Sequence, residues 1–389
     1  MITIPFDRTP VGDPASLGVA PEPLKDLIDR ARREVDNGLL PSCQLALARE
    51  GRVAAWVSFG DAVPESLYVI FSATKVLVAG AVWMLIGEGR LDVSARVSDL
   101  IPEFGTNGKD VVTIEQVMLH TSGFPAAPMG PPEWTDRAAR LERFARWRLN
   151  WEPGSKFEYH PTSAHWVLAE LIERVSGVDY RQFVKDRITG PLGLDGLRLG
   201  VPVDEQKHLA INDLVLAGEP ATPEEIKAVL GIDELPVTEV TPEALLAFNI
   251  PEARAVGVPG GGALSTAADL ALYYQALLHN PGGLWDPAVL ADATGSVRCT
   301  MPDYLGVPAN RSLGLVVAGD DGRSHLRGMG HTVSPRAFGH NGAAGQIAWA
   351  DPDTGLSFCY LTNGVDQHEI REARRTSGLA SRAAVCAAR

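Results

Sequence analysis

Val76-Leu-Val-Ala-Gly-Ala-Val-Trp-Met-Leu-Ile-Gly87 is apolar on every face. A surface helix keeps one polar side, so a helical run of this kind belongs inside a domain. At 12 residues it is too short for a bilayer, which takes about 20. Immediately before it stands Val69-Ile-Phe-Ser-Ala-Thr-Lys75, where a short β-branched stretch gives way to the helix. Residues three apart on a helix share a face, so Lys75 can bring its amine to the Ser72 hydroxyl. A base beside a serine makes a nucleophile. In a first helical turn the backbone N–H groups are unpaired and can face an oxyanion. The positive end of the helix dipole and burial both push the amine towards its neutral form.

The flanking pattern predicts where this helix is buried. Leu24, Leu27, Ile28, Ala31 and Val35 repeat at helical spacing over 23–36, and Asn37-Gly38 ends that helix. Residues 43–49 and 53–59, joined by a Glu50-Gly51-Arg52 turn, read as a hairpin. Near the other end, 312–318, 346–350 and 356–362 read as strands, followed by a helix from Gln367 to Ala388. Strands at both ends with helices between them predict an α+β fold whose single antiparallel sheet is built from the two ends. The expected division is 1–90 with 255–389 as a discontinuous α/β unit, and 91–254 as a mostly helical lobe, with the cleft between them. An acidic stretch over 203–251, with Glu219, Glu224, Glu225, Asp233, Glu234, Glu239 and Glu243, reads as a solvated insertion, with a lid over the cleft as the alternative.

Composition excludes several partners. The 389 residues carry a net charge of -13, which argues against nucleic acid and anionic membrane surfaces. Cys43, Cys299, Cys359 and Cys386 are scattered without Cys-x-x-Cys or zinc spacing, so no metal is expected and the thiols read as packing residues. The N-terminus lacks the pattern of a secretory signal, and the expected location is the cytoplasm. No cofactor is expected. Without a Gly-x-Ser-x-Gly element, the α/β-hydrolase fold has no nucleophile elbow to offer.

Several segments together resemble the serine β-lactamase and penicillin-binding-protein superfamily, in its class C-like branch, and are closest in character to the family VIII carboxylesterases. They are 71–75, Val117-Met-Leu-His-Thr-Ser-Gly-Phe124, Trp151-Glu-Pro-Gly-Ser-Lys-Phe-Glu-Tyr159, 191–194, 260–270 and Phe338-Gly-His-Asn-Gly342, in the family's order. The resemblance implies a β-lactamase/transpeptidase-like fold and makes Ser72 the nucleophile, with Lys75 and Tyr159 as the proton-transfer pair. It leaves open which of the two is the base. It also implies an oxyanion hole from the backbone N–H groups of Ser72 and Ala343, with His340, Asn341 and Gly342 on the strand edging the site. Phe124, Trp134 and Trp349 are candidate cleft walls.

Of the remaining marked residues, His120 and Asp269 read as scaffolding, at a glycine-capped helix end over 119–123 and in a capping box begun by Thr266. Gly260, Gly261 and Gly262 allow close backbone approach.

Two departures from the family pattern bear on substrate. Where the family has an asparagine two residues after the tyrosine, this chain has Pro161, which has no side-chain donor. His340 stands where a permanent cation grips a β-lactam carboxylate. The expected activity is therefore hydrolysis of small carboxylic esters through an acyl-enzyme, with a small-molecule ester as the partner. Amide-directed chemistry, acyl transfer to another alcohol and an acylated binding module are the alternatives.

Overall fold

The computed structural model describes residue 2, residues 4–233, residue 235 and residues 240–387. Six strands form the main sheet: β1 (Ser42–Arg49), β2 (Arg52–Gly60), β3 (Val316–Val317), β4 (Phe338–Gly339), β5 (Ile347–Asp351) and β6 (Leu356–Thr362). Their order is β2-β1-β6-β5-β4-β3, and every pairing is antiparallel. The join between the two ends of the chain runs from Cys43 opposite Thr362 to Arg49 opposite Leu356. At the β1–β2 turn, Glu50 (φ 54°) and Gly51 (φ 72°) both take the left-handed conformation that a two-residue hairpin needs to match strand twist. Of the predicted strand over 312–318, only Val316–Val317 pairs as a strand.

The long helices are α1 (Pro21–Asp36), α2 (Lys75–Gly87), α3 (Ser163–Ser176), α4 (Ala267–His279) and α5 (Glu369–Ala384). Side chains alternate across the strands, so each face of the sheet meets its own layer. Leu45, Leu47, Trp349 and Phe358 pack with Leu24 and Leu27 of α1 and Leu379 and Ala383 of α5. Ala46, Ala48, Ala350 and Leu361 belong to the other core, which holds α2, α3 and α4. Within α2 every residue from Lys75 to Leu85 is buried, as its uniformly apolar run predicts. Gly80 is needed there: a Cβ on it would stand 2.5 Å from the Tyr273 hydroxyl oxygen.

The acidic stretch is less solvated than its composition suggests. Val215–Ala217 pairs in parallel with Gly364–Asp366, and Ile226 of the helix Pro223–Leu230 packs on Ile370. Leu245, Leu246 and Phe248 join a cluster with Phe71, Ala343 and Ala344. The end of this stretch therefore lies beside the predicted nucleophile. Glu234 and Glu239, and Ala388 at the end of the chain, lie outside the described residues. Among the described residues, no helix is long and apolar enough to cross a membrane. The four cysteines are buried and unpaired.

Candidate active site

Ser72 lies in a 3₁₀ turn, Phe71–Thr74, that runs directly into α2. In a 3₁₀ turn side chains three apart eclipse, which aligns Ser72 with Lys75 more closely than an α-helical turn would. Phe71 takes φ 44°, an uncommon and costly conformation for a bulky residue. Its surroundings impose it: the ring meets Phe248 edge-on at 5.8 Å. Behind it, a Cβ on Gly342 would come within 2.2 Å of the Ile70 carbonyl oxygen. That close approach seats the Gly342-Ala343 backbone against the turn that carries Ser72.

Lys75 is fully buried. Its Nζ lies 3.1 Å from Ser72 Oγ and donates to the carbonyl oxygens of Pro161 (2.7 Å) and Gly260 (2.6 Å). Pro161, the departure from the family pattern, thus meets Lys75 through its backbone carbonyl, which does not depend on the side chain. Gly260 is tightly hemmed in: a Cβ would meet the Pro161 oxygen at 2.8 Å and Lys75 Nζ at 3.6 Å. The close backbone approach expected of this glycine run is present.

Tyr159 faces Lys75, with Nζ 5.1 Å from its ring centroid. The phenol oxygen is buried, and no hydrogen-bond partner is described for it. His120 clamps the tyrosine from both sides: its carbonyl accepts from Glu158 N at 3.2 Å, and its Nδ1 accepts from His160 N at 3.1 Å. Burial holds the His120 ring well below the usual histidine range, aided by the charge of Arg311. The scaffolding role expected for His120 holds, but the helix end differs from expectation. His120 itself takes the left-handed position at φ 58°, next to the helix Ile114–Met118, ahead of Gly123. Asp269 is also scaffolding, since its backbone N–H caps on Thr266 Oγ1 and its carboxylate accepts from the same hydroxyl.

His340 follows β4, is buried, and has its ring centroid 5.9 Å from that of Tyr159. Burial first, then the Arg311 charge, hold it well below the ordinary histidine range. Asn341 turns away from the cleft. Its amide donates to Gly328 O (2.7 Å) and its side-chain oxygen accepts from Ala348 N (3.1 Å), so the side chain braces a neighbouring turn.

The aromatic walls need correction. Trp349 is fully buried on the α1/α5 face of the sheet, 5.7 Å from Phe358, because its place in β5 points it away from α2. Phe124 is also fully buried, packed on Phe104, Trp147 and His160. Trp134 is partly buried and its indole N–H donates to Met129 O within its own loop.

Two site neighbours escaped the sequence reading. Phe248, in the acidic stretch, carries no signal that would place it beside Phe71. Arg311 had one: it is the single charged residue over 304–319. Its Nη1 lies 3.2 Å from His340 Nε2, and its guanidinium carbon lies 5.3 Å from the Tyr159 ring centroid.

A sheet made from both ends of the chain, a buried helix fronted by Ser72 and Lys75, and a facing tyrosine define a serine hydrolase of the β-lactamase and penicillin-binding-protein type. Residues 27–381 match the family model described as Beta-lactamase, and the chain belongs to that family. It is 29% identical over 332 residues to the Esterase/beta-lactamase LipL of Mycobacterium tuberculosis, covering 80% of this chain and 71% of that protein. It is 25% identical over 388 residues to a putative D-alanyl-D-alanine carboxypeptidase of Escherichia coli, covering 90% and 84%. Among solved structures, it is similar to a family VIII carboxylesterase with a TM-score of 0.75 and 24% identity, covering 94% of this chain and 99% of that one.

Proposed function

We propose that this enzyme is a carboxylesterase of the family VIII kind, working through an acyl-enzyme on Ser72. The observation that carries the reading is the set of three oxygens around Lys75 Nζ. A neutral amine has two N–H donors and one lone pair. With two N–H groups on Pro161 O and Gly260 O, the lone pair is directed at Ser72 Oγ, 3.1 Å from Nζ. Lys75 then takes the hydroxyl proton as Ser72 attacks the ester carbonyl. The N–H groups of Ser72 and Ala343 receive the oxyanion. Tyr159 gives its proton to the departing alkoxide and recovers one from Lys75, so the serine proton ends on the alcohol. Water then attacks the acyl-enzyme, and its proton returns through the same pair to Ser72.

Ester over amide is supported by Pro161, which has no side-chain donor for an acylamino group, and by the esterase in the LipL name. An amide-directed reading draws on the likeness to the putative carboxypeptidase. Ser72→Ala should abolish release of p-nitrophenol from its butyrate ester, and wild-type protein should show a mass shift of one butyryl group on Ser72. Activity near wild type in Ser72→Ala would end the assignment. Rapid turnover of nitrocefin or a D-alanyl-D-alanine peptide, with esters left intact, would select the amide reading.

A further inference from the structure

Arg311 and His340 determine each other's hydrogen-bonding roles. A guanidinium has donors and no acceptor, so across the 3.2 Å contact His340 Nε2 must accept. On the other side of the ring, Nδ1 lies 2.9 Å from the carbonyl oxygen of Asn341, which only accepts, so Nδ1 carries the proton. Both partners demand the same species, a neutral imidazole protonated at Nδ1. A second proton would set N–H against N–H. Burial, and after it the Arg311 charge, press the ring the same way.

The guanidinium lies over two rings, with its carbon 5.6 Å from the Phe157 centroid and 5.3 Å from that of Tyr159. Among the described residues no carboxylate forms an ion pair with Arg311, and its buried Nε has no described acceptor. Asp303 and Cys299 act on Arg311 only through space, and a buried cation without a hydrogen-bonded carboxylate is costly. The titratable and charged groups described around Tyr159 and His340 are Lys75 from α2, His120, His160, His165 from α3, Arg311, and Tyr274 from α4, whose hydroxyl accepts from His340 N at 3.0 Å. All the histidines in this group are held neutral by burial. Arg311, from a segment the family pattern does not mark, is therefore a permanent charge beside the Tyr159 ring.

We propose that Arg311 is a positioning residue of the acyl-transfer site: it holds His340 as an Nε2 acceptor and keeps a fixed positive charge beside Tyr159. This rests on the esterase reading above. When Tyr159 releases its proton to the leaving alkoxide, the phenolate forms on a ring that has both the Lys75 ammonium and the Arg311 guanidinium beside it.

The test combines side-chain ¹⁵N NMR of the histidines with kinetics on p-nitrophenyl butyrate, for wild type, Arg311→Lys and Arg311→Met. In wild type His340 should remain protonated at Nδ1 only, from pH 5 to 9. In Arg311→Met the tautomer should no longer be fixed, so that the Nε2-protonated form becomes populated, and kcat should fall about 10- to 100-fold, the scale of one lost electrostatic or proton-transfer contribution, with KM nearly unchanged. Arg311→Lys should recover part of kcat. A wild-type His340 protonated at Nε2 would overturn the proposal whether or not any variant folds. So would an Arg311→Met enzyme that keeps kcat on the butyrate and loses KM only for an ester bearing a carboxylate, since Arg311 would then be a substrate-binding cation. Failure of the esterase reading itself looks different: the wild type would release no p-nitrophenol while His340 kept the expected tautomer.

Discussion

Lys75 and Lys109 are both fully buried, both stand three residues after a hydroxyl side chain, and both donate to two backbone carbonyls. Lys109 Nζ reaches Thr106 O at 2.7 Å, Trp147 O at 2.6 Å and Thr106 Oγ1 at 3.2 Å. Each also lies over an aromatic ring, at 5.1 Å from the Tyr159 centroid for Lys75 and 5.3 Å from that of Phe104 for Lys109. What separates them is the fate of protons. Thr106 Oγ1 already donates to Ala145 O at 2.6 Å, so it can only accept from Lys109. Ser72 Oγ has no described partner except Lys75 Nζ. The ring beside Lys109 has no hydroxyl, whereas the one beside Lys75 does. A buried lysine next to a hydroxyl is thus a structural clamp unless that hydroxyl's proton has nowhere else to go and a second acid stands across from it.

The largest effect should come from removing Lys75, the lysine proposed to move protons. Lys75→Ala should lower kcat/KM on p-nitrophenyl butyrate by about 10³-fold or more, whereas Lys109→Met should keep turnover per folded molecule within about threefold. If Lys109→Met abolishes activity while remaining folded, the contrast between the two lysines is broken.

Stability should show the reverse ranking. Lys109→Met leaves the Thr106 and Trp147 carbonyls without their donor and should cost about 2–4 kcal/mol by urea unfolding. Burial pushes Lys109 down to about 8 from the ordinary lysine value of 10.5. Between those values the unfolded chain binds more protons than the native one, so the contribution of Lys109 to stability rises with pH across that window. The stability gap between wild type and Lys109→Met should therefore widen from pH 8 to 10; a constant gap would show that Lys109 does not titrate low. The smallest effect is expected from Thr106→Val, which loses an exposed hydrogen bond to Ala145 O and the longer, half-buried one from Lys109, at about 1 kcal/mol with the turnover rate unchanged.

Legibility from sequence followed the range of the interactions. The pairing of Ser72 with Lys75 follows from a spacing of three, and the burial of α2 follows from its uniform apolarity. The hairpin turn, the helix end at Asn37-Gly38 and the Thr266 cap are local too, and all formed where expected. The misassigned residues were those whose position depends on which face of an element meets which neighbour. Trp349 and Phe124 are aromatic and near the marked segments, yet strand direction and core packing turn both away from the cleft. Asn341 shares a motif with His340, but successive side chains on an extended segment point to opposite sides.

By itself, the sequence determined the pairing of Ser72 with Lys75, the sheet built from both ends, and the family, because each rests on short-range spacing or on several motifs in order. Only the tertiary structure decided what surrounds that pair: the carbonyls of Pro161 and Gly260 on Lys75, Phe248 against Phe71, and Arg311 on His340. Those contacts join residues 86, 185, 177 and 29 positions apart. No local pattern encodes them, since each exists only once separate segments have packed around α2.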